Sequence, residues 1–163
     1  MKRSGFTMIE LVFIIVILGI LAAIAVPKMA ASRDDAVAVA IKSDIGTMTQ
    51  AIPAMYMSQG SLTSIGQAVN LDTSRWSGAT GLTVTSVLAS ATSGGSACAT
   101  VEYATAVAAD ATADSTITAG DTIVRVTVIP TGSCSVLRGM FGGTASENFV
   151  QRINLASSGI KFN

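Results

Sequence analysis

Apolar residues crowd the N-terminal end of this 163-residue chain. Residues 6–26 read FTMIELVFIIVILGILAAIAV, with Glu10 as the one ionisable side chain before Lys28. A helix of that length spans about 31 Å, the thickness of a hydrocarbon core, so the run predicts a membrane-inserted helix. Lys2 and Arg3 precede it, which predicts a cytoplasmic N-terminus with residues 28–163 on the far side. A secretory signal removed whole fits less well. Ala23-Ile24-Ala25 has small-x-small spacing, but the apolar stretch exceeds the usual length of about 7–15 residues, and Pro27-Lys28-Met29 leads straight into a second helical pattern.

That second pattern covers residues 28–57. Val37, Ile41, Ile45, Met48, Ile52 and Met55 recur at spacings of three and four, one stripe on a 3.6-residue period, while Lys42, Asp44, Thr47 and Gln50 fall off it. The spacing predicts an amphipathic half that packs on a globular body. A helix over 6–57 would be about 78 Å long. Pro27 lacks a backbone donor and should bend it. Gly19 and Gly46 each weaken it by up to about 1 kcal/mol. Pro53 marks a second kink or an early stop, and Gly60 is a terminator.

Residues 58–163 change character and are rich in Ser, Thr and Gly. Four candidate strands stand out: 82–89, 101–107, 123–129, and 160–162, the last paired with 152–156 across a Ser157-Ser158-Gly159 turn. Val124, Val126 and Val128 share one face, and Pro130 ends that strand. Residues 147–155 fit a short helix as well as a strand. A sheet with one solvated face needs a cover on the other, and the 37–55 stripe supplies one. The expected fold class is α+β: a long N-terminal helix, membrane-spanning in one half and amphipathic in the other, packed on a small antiparallel sheet.

Composition narrows the chemistry. There is no histidine, which removes Ser-His-Asp triads, Cys-His pairs and His-ligated metals. Two cysteines cannot build a four-thiolate zinc site or an iron–sulfur cluster. Ten basic residues cancel ten acidic ones, and the basic residues Arg138, Arg152 and Lys161 are scattered, so no nucleic-acid partner is expected. No phosphate-cradling glycine loop is present. The chain does not read as an enzyme.

Glu10 is the informative residue, because a charge one turn into an apolar run is costly unless it finds a partner. Gly5-Phe6-Thr7-Met8-Ile9-Glu10, behind a short basic leader and ahead of a long apolar run ending near Pro27, closely resembles the signature of type IV pilins and type II secretion pseudopilins. The resemblance covers residues 1–57. It implies that residues 1–5 are a leader, cut between Gly5 and Phe6 by a membrane prepilin peptidase that then N-methylates Phe6. It implies that 6–27 is a transmembrane and assembly helix continued by the amphipathic 28–57, and the β-rich globular domain read from residues 58–163 agrees with the family's fold. Glu10 would pair with the new amine of a neighbouring copy, where each charge alone is unfavourable in low dielectric. The stretch from Gly19 through Pro27 to Lys28 would melt or kink on assembly. The implied partners are identical or related pilin subunits, the prepilin peptidase, an inner-membrane assembly platform with a cytoplasmic ATPase, and the lipid bilayer before assembly. The implied location is the bacterial inner membrane, single-pass, and then an extracytoplasmic filament.

On the oxidising far side an even cysteine count favours a Cys98–Cys134 disulfide, the alternative being two buried thiols. Asp110, Asp114 and Asp121 share a loop and offer hard-oxygen ligands for calcium, but the spacing is not an EF-hand and solvated turn residues are the plainer reading, so no cofactor is expected. Trp76 reads as a core anchor or a subunit contact. The leading function is the structural subunit of a type IV pilus-like filament. The alternatives are a pseudopilin of type II secretion and, more remotely, a membrane-tethered binding module that does not polymerise.

Overall fold

A computed structural model of the chain describes residues 6–86, 97–142, 144 and 146–155, leaving out the side chains of 25–34 and 133. One helix, α1, runs from Met8 to Gln59. It continues through Pro27 and past Pro53, and it ends two residues beyond the expected boundary. Pro53 is buried beside Ile52, so packing outweighs the single hydrogen bond that proline removes. Gly60 closes the helix in the left-handed conformation (φ +76°), its N–H donating to the Tyr56 carbonyl at 2.7 Å. A Cβ there would be strained, which is why glycine stops this helix.

Among the described residues no helix is long and apolar enough to cross a membrane. The membrane span expected over 6–27 is therefore not found among them. From Ala25 onward the run falls on residues whose side chains are outside the description.

Five strands follow: β1 (Trp76–Ser77), β2 (Thr83–Ser86), β3 (Ala99–Thr105), β4 (Thr122–Val128) and β5 (Phe149–Asn154). They form one antiparallel sheet in the order β1-β2-β3-β4-β5. Short helices α2 (Ala108–Ala113) and α3 (Ser135–Gly139) lie between strands. The architecture is α+β, as the sequence implied.

The stripe packs as its period demands. Ile41, Met48 and Ile52 are fully buried and Ile45 nearly so, with Val37 and Met55 partly covered at the two ends. They meet Val84, Val101, Val124, Val126 and Val128 from the inner face of the sheet. Burying four such side chains of α1 contributes on the order of 10 kcal/mol before chain entropy is subtracted.

Strand boundaries differ from the pattern in instructive ways. The strand expected at 101–107 starts at Ala99 and stops at Thr105, because the Ala106 N–H turns to the Asp121 carbonyl at 2.7 Å. The strand at 82–89 is described only as Thr83–Ser86, since 87–96 are outside the description. Residues 149–154 form a strand and not a helix, correcting the alternative reading of 147–155: the edge of β4 offers seven residues of ladder, and Ile153 lies opposite Val124. The hairpin partner expected at 160–162 lies outside the described residues.

Candidate functional site

The N-terminus of α1 is built by two side chains. Thr7 is the N-cap, in extended backbone conformation. The Glu10 N–H donates to the Thr7 hydroxyl oxygen at 3.3 Å, while the Thr7 N–H and hydroxyl both donate to Glu10 Oε2, at 2.8 and 2.7 Å. This is a reciprocal capping box, which satisfies helix-end amides that would otherwise be orphaned. A negative group in the first turn also complements the positive end of the helix dipole. Thr7 was missed as a site residue, although Thr-x-x-Glu ahead of an apolar run is a legible start signal.

Beyond the cap the helix projects alone. Every large apolar side chain from Phe6 to Ile24 is at least 41% exposed, and Phe6 is 83% exposed. A Cβ built on Gly19 would meet nothing within 4 Å. Such a rod, apolar all round, is suited to burial in lipid or among other helices. Pro27 lies within α1, with its side chain outside the description. Gly5, half of the expected cleavage site, also lies outside the described residues, so the structure brings Phe6 and Glu10 within one turn but describes nothing of the bond to be cut.

The other candidates occupy the globular part. Cys98 and Cys134 are joined by a disulfide with Cα atoms 5.1 Å apart, both buried. It staples the start of β3 to α3, which packs on α1. Trp76 is 2% exposed, and its Nε1–H donates to Asp44 Oδ2 at 2.8 Å. Arg75 joins the same carboxylate at 3.3 Å and also pairs with Asp72 at 2.8 Å. Asp44, off the apolar stripe, thus ties the β1 segment to α1.

The three loop aspartates are not gathered as a ligand set. Asp110, 1% exposed, accepts from Arg152 Nε at 2.7 Å and Arg125 Nη1 at 3.0 Å. Asp114 accepts from Thr116, and Asp121 from the Thr118 N–H and the Asn154 amide. Among the described residues no group of three or more His, Cys, Asp or Glu could hold a metal ion. The Arg152 hydrogen bond is the main reason the Asp110 carboxyl stays below its usual range; burial opposes it, and the Val107 N–H and Arg125 assist. Arg125 is raised in turn, mostly by its hydrogen bond to Glu102. Register explains the grouping, since Glu102, Arg125 and Arg152 lie directly opposite one another on β3, β4 and β5.

Arg138 is a further residue that no sequence pattern announced. It is 3% exposed, and it donates to the carbonyls of Glu147 (2.7 Å), Thr144 (2.8 Å) and Gly142. Its guanidinium lies 5.8 Å from the centre of the Phe149 ring. One side chain thus holds the chain between α3 and β5.

Residues 1–26 match the family model described as the prokaryotic N-terminal methylation motif. A type II secretion system core protein G from Pseudomonas aeruginosa is 43% identical over 51 residues, which is 31% of this chain. The match spans 36% of that relative's length. No solved structure matches the chain. The chain is thus similar to a prepilin-type methylation motif over residues 1–26 and to a type II secretion core protein over 51 residues, and both likenesses point toward the pilin and pseudopilin family.

Proposed function

We propose that this chain is the structural subunit of a type IV pilus-like filament. The observation that carries the reading is the coincidence of two features on one helix. The prepilin-type motif occupies residues 1–26, and the same helix carries an apolar half exposed on all sides ahead of a half packed on the sheet. In this reading residues 1–5 are removed between Gly5 and Phe6 by the prepilin peptidase, and Phe6 is N-methylated. Residues 6–27 anchor the subunit in the inner membrane with its N-terminus in the cytoplasm. Related subunits then bury that segment together in an extracytoplasmic filament. At about 25 cal/mol per Å2, a few hundred Å2 per contact yields several kcal/mol, repeated along the fibre. Glu10 exchanges its cap on Thr7 for the Phe6 amine of a neighbour, and the stretch around Gly19 and Pro27 yields as the rod repacks. Extraction from lipid requires work, which an assembly platform with a cytoplasmic ATPase supplies. Asp110, Asp114 and Asp121 hold no calcium in this reading.

The relative's name favours a second reading, a pseudopilin of type II secretion. The match covers 51 residues, 31% of the chain, and does not decide between the two machines. Mass spectrometry of the subunit purified from its own cells tests the shared core of both readings. The expected chain begins at N-methylated Phe6, and a functional chain that retains Met1 to Gly5 overturns both. Electron microscopy of surface fibres in a deletion strain separates the two machines: loss of long surface fibres supports the pilus, and intact fibres with lost protein secretion support the pseudopilus.

A further inference from the structure

The connection from β3 to β4, residues 106–121, folds over the sheet face opposite α1. Its anchorage is separate from the rest of the protein. No residue of 106–121 belongs to the main core, whereas Ala106 and Ile117 form a small cluster of their own with Ile123 of β4. The polar anchorage converges on one buried carboxylate. Asp110 accepts from Arg125 Nη1 at 3.0 and 3.1 Å, from Arg152 Nε at 2.7 Å and from the Val107 N–H at 3.1 Å. The Asn154 side chain adds a bond to the Thr116 carbonyl at 3.2 Å. At its base the segment is pinned by Ala106 N–H to Asp121 O (2.7 Å) and Gly120 N–H to Ala106 O (2.9 Å). Meanwhile β3 and β4 pair directly as far as Thr105 opposite Thr122. Residues 107–119 can therefore leave the sheet without breaking a ladder bond.

We propose that this segment is a strap that opens and closes over the outer face of the sheet as a unit of its own, with Asp110 as its latch. Segments with few apolar anchors open locally at less cost than the whole molecule unfolds. Between Val107 and Ala119 the anchors on the sheet are the Ile117 side chain, the Asp110 carboxylate and the Asn154 bond to the Thr116 carbonyl. Withdrawing Asp110 breaks its bonds to Arg125 and Arg152 together, leaving Arg125 with Glu102 alone. An open strap exposes Ile123 and presents Arg125 and Arg152 side by side, with Glu102 still engaging Arg125.

Hydrogen exchange read by mass spectrometry on the full chain in detergent micelles tests this, comparing wild type with Asp110→Asn and Ile117→Ala. The amides of Ala111, Asp114 and Ile117, each bonded within the strap, should exchange faster in the wild type than those of residues 41–52 and 122–128. Each variant should accelerate the strap amides by at least about tenfold and leave the other two segments unchanged. Strap amides that exchange at the core rate in the wild type would overturn the proposal. So would a variant that accelerates the core equally, or a folded Asp110→Asn protein with an unaltered strap. If Asp110→Asn does not fold, the wild-type comparison and Ile117→Ala decide the matter.

Discussion

Removing the Cys98–Cys134 crosslink should destabilise the globular part by an amount set mainly by the loop it closes. The two cysteines are 36 positions apart. The chain-entropy model gives about 4 kcal/mol for a loop of that size, all of it acting on the unfolded ensemble. Two perturbations separate this from packing. Reduction keeps both sulfur atoms in the core and should cost about 4 kcal/mol. The double variant Cys98→Ala/Cys134→Ala also empties two buried sulfur positions, which adds roughly 1 kcal/mol each. Locally, α3 should loosen first, because five residues of helix cannot sustain themselves. The assay is denaturant unfolding of the full chain in detergent, read by fluorescence of Trp76, the single tryptophan and a buried one. In a thermal melt followed by the same fluorescence, the reduced protein should unfold roughly 10–20 °C lower. Two thiols alkylated before reduction, or a reduced protein as stable as the oxidised one, would refute the reasoning.

Other outcomes follow from the same geometry. Gly78→Ala should cost about 1–3 kcal/mol in the same unfolding assay, because Gly78 has φ +85° and a Cβ there would come within 2.5 Å of the Thr83 carbonyl. Since the native Asp110 carboxyl titrates below its usual value of 3.8, its contribution is complete above that pH and lost as the pH falls through the lower native value. Asp110→Asn should therefore flatten the acid limb of the stability profile below about pH 4, and an unchanged limb would refute the assignment. Glu10→Ala should leave a processed, membrane-held subunit that forms no filaments, as judged by immunoblot of the sheared fraction; normal fibre yield would count against pairing.

Two kinds of information divide this protein. The helix and its faces were legible in the sequence, because a 3.6-residue period and a prepilin-type opening are local signals that need no partner. The β3 and β4 strands were legible for the same reason, through alternation with period two. The strand at β5 was ambiguous: Phe149, Val150 and Ile153 satisfy either period, and only the free edge of β4 selected the extended form.

The polar network belonged to tertiary structure alone. Asp110 meets Arg152 across 42 positions, Asp44 meets Trp76 across 32, and Arg138 meets carbonyls that carry no side-chain signature. Read along the chain, Asp110 resembled its neighbours Asp114 and Asp121, and all three read most plainly as solvated turn residues. What separated them was strand register, which set Arg125 and Arg152 side by side beneath one carboxylate and left the other two aspartates to neutral donors. Apolar burial is averaged over many residues and so leaves a periodic trace in the sequence. An ion pair depends on two particular atoms arriving within about 3 Å, and only the folded backbone brings them there.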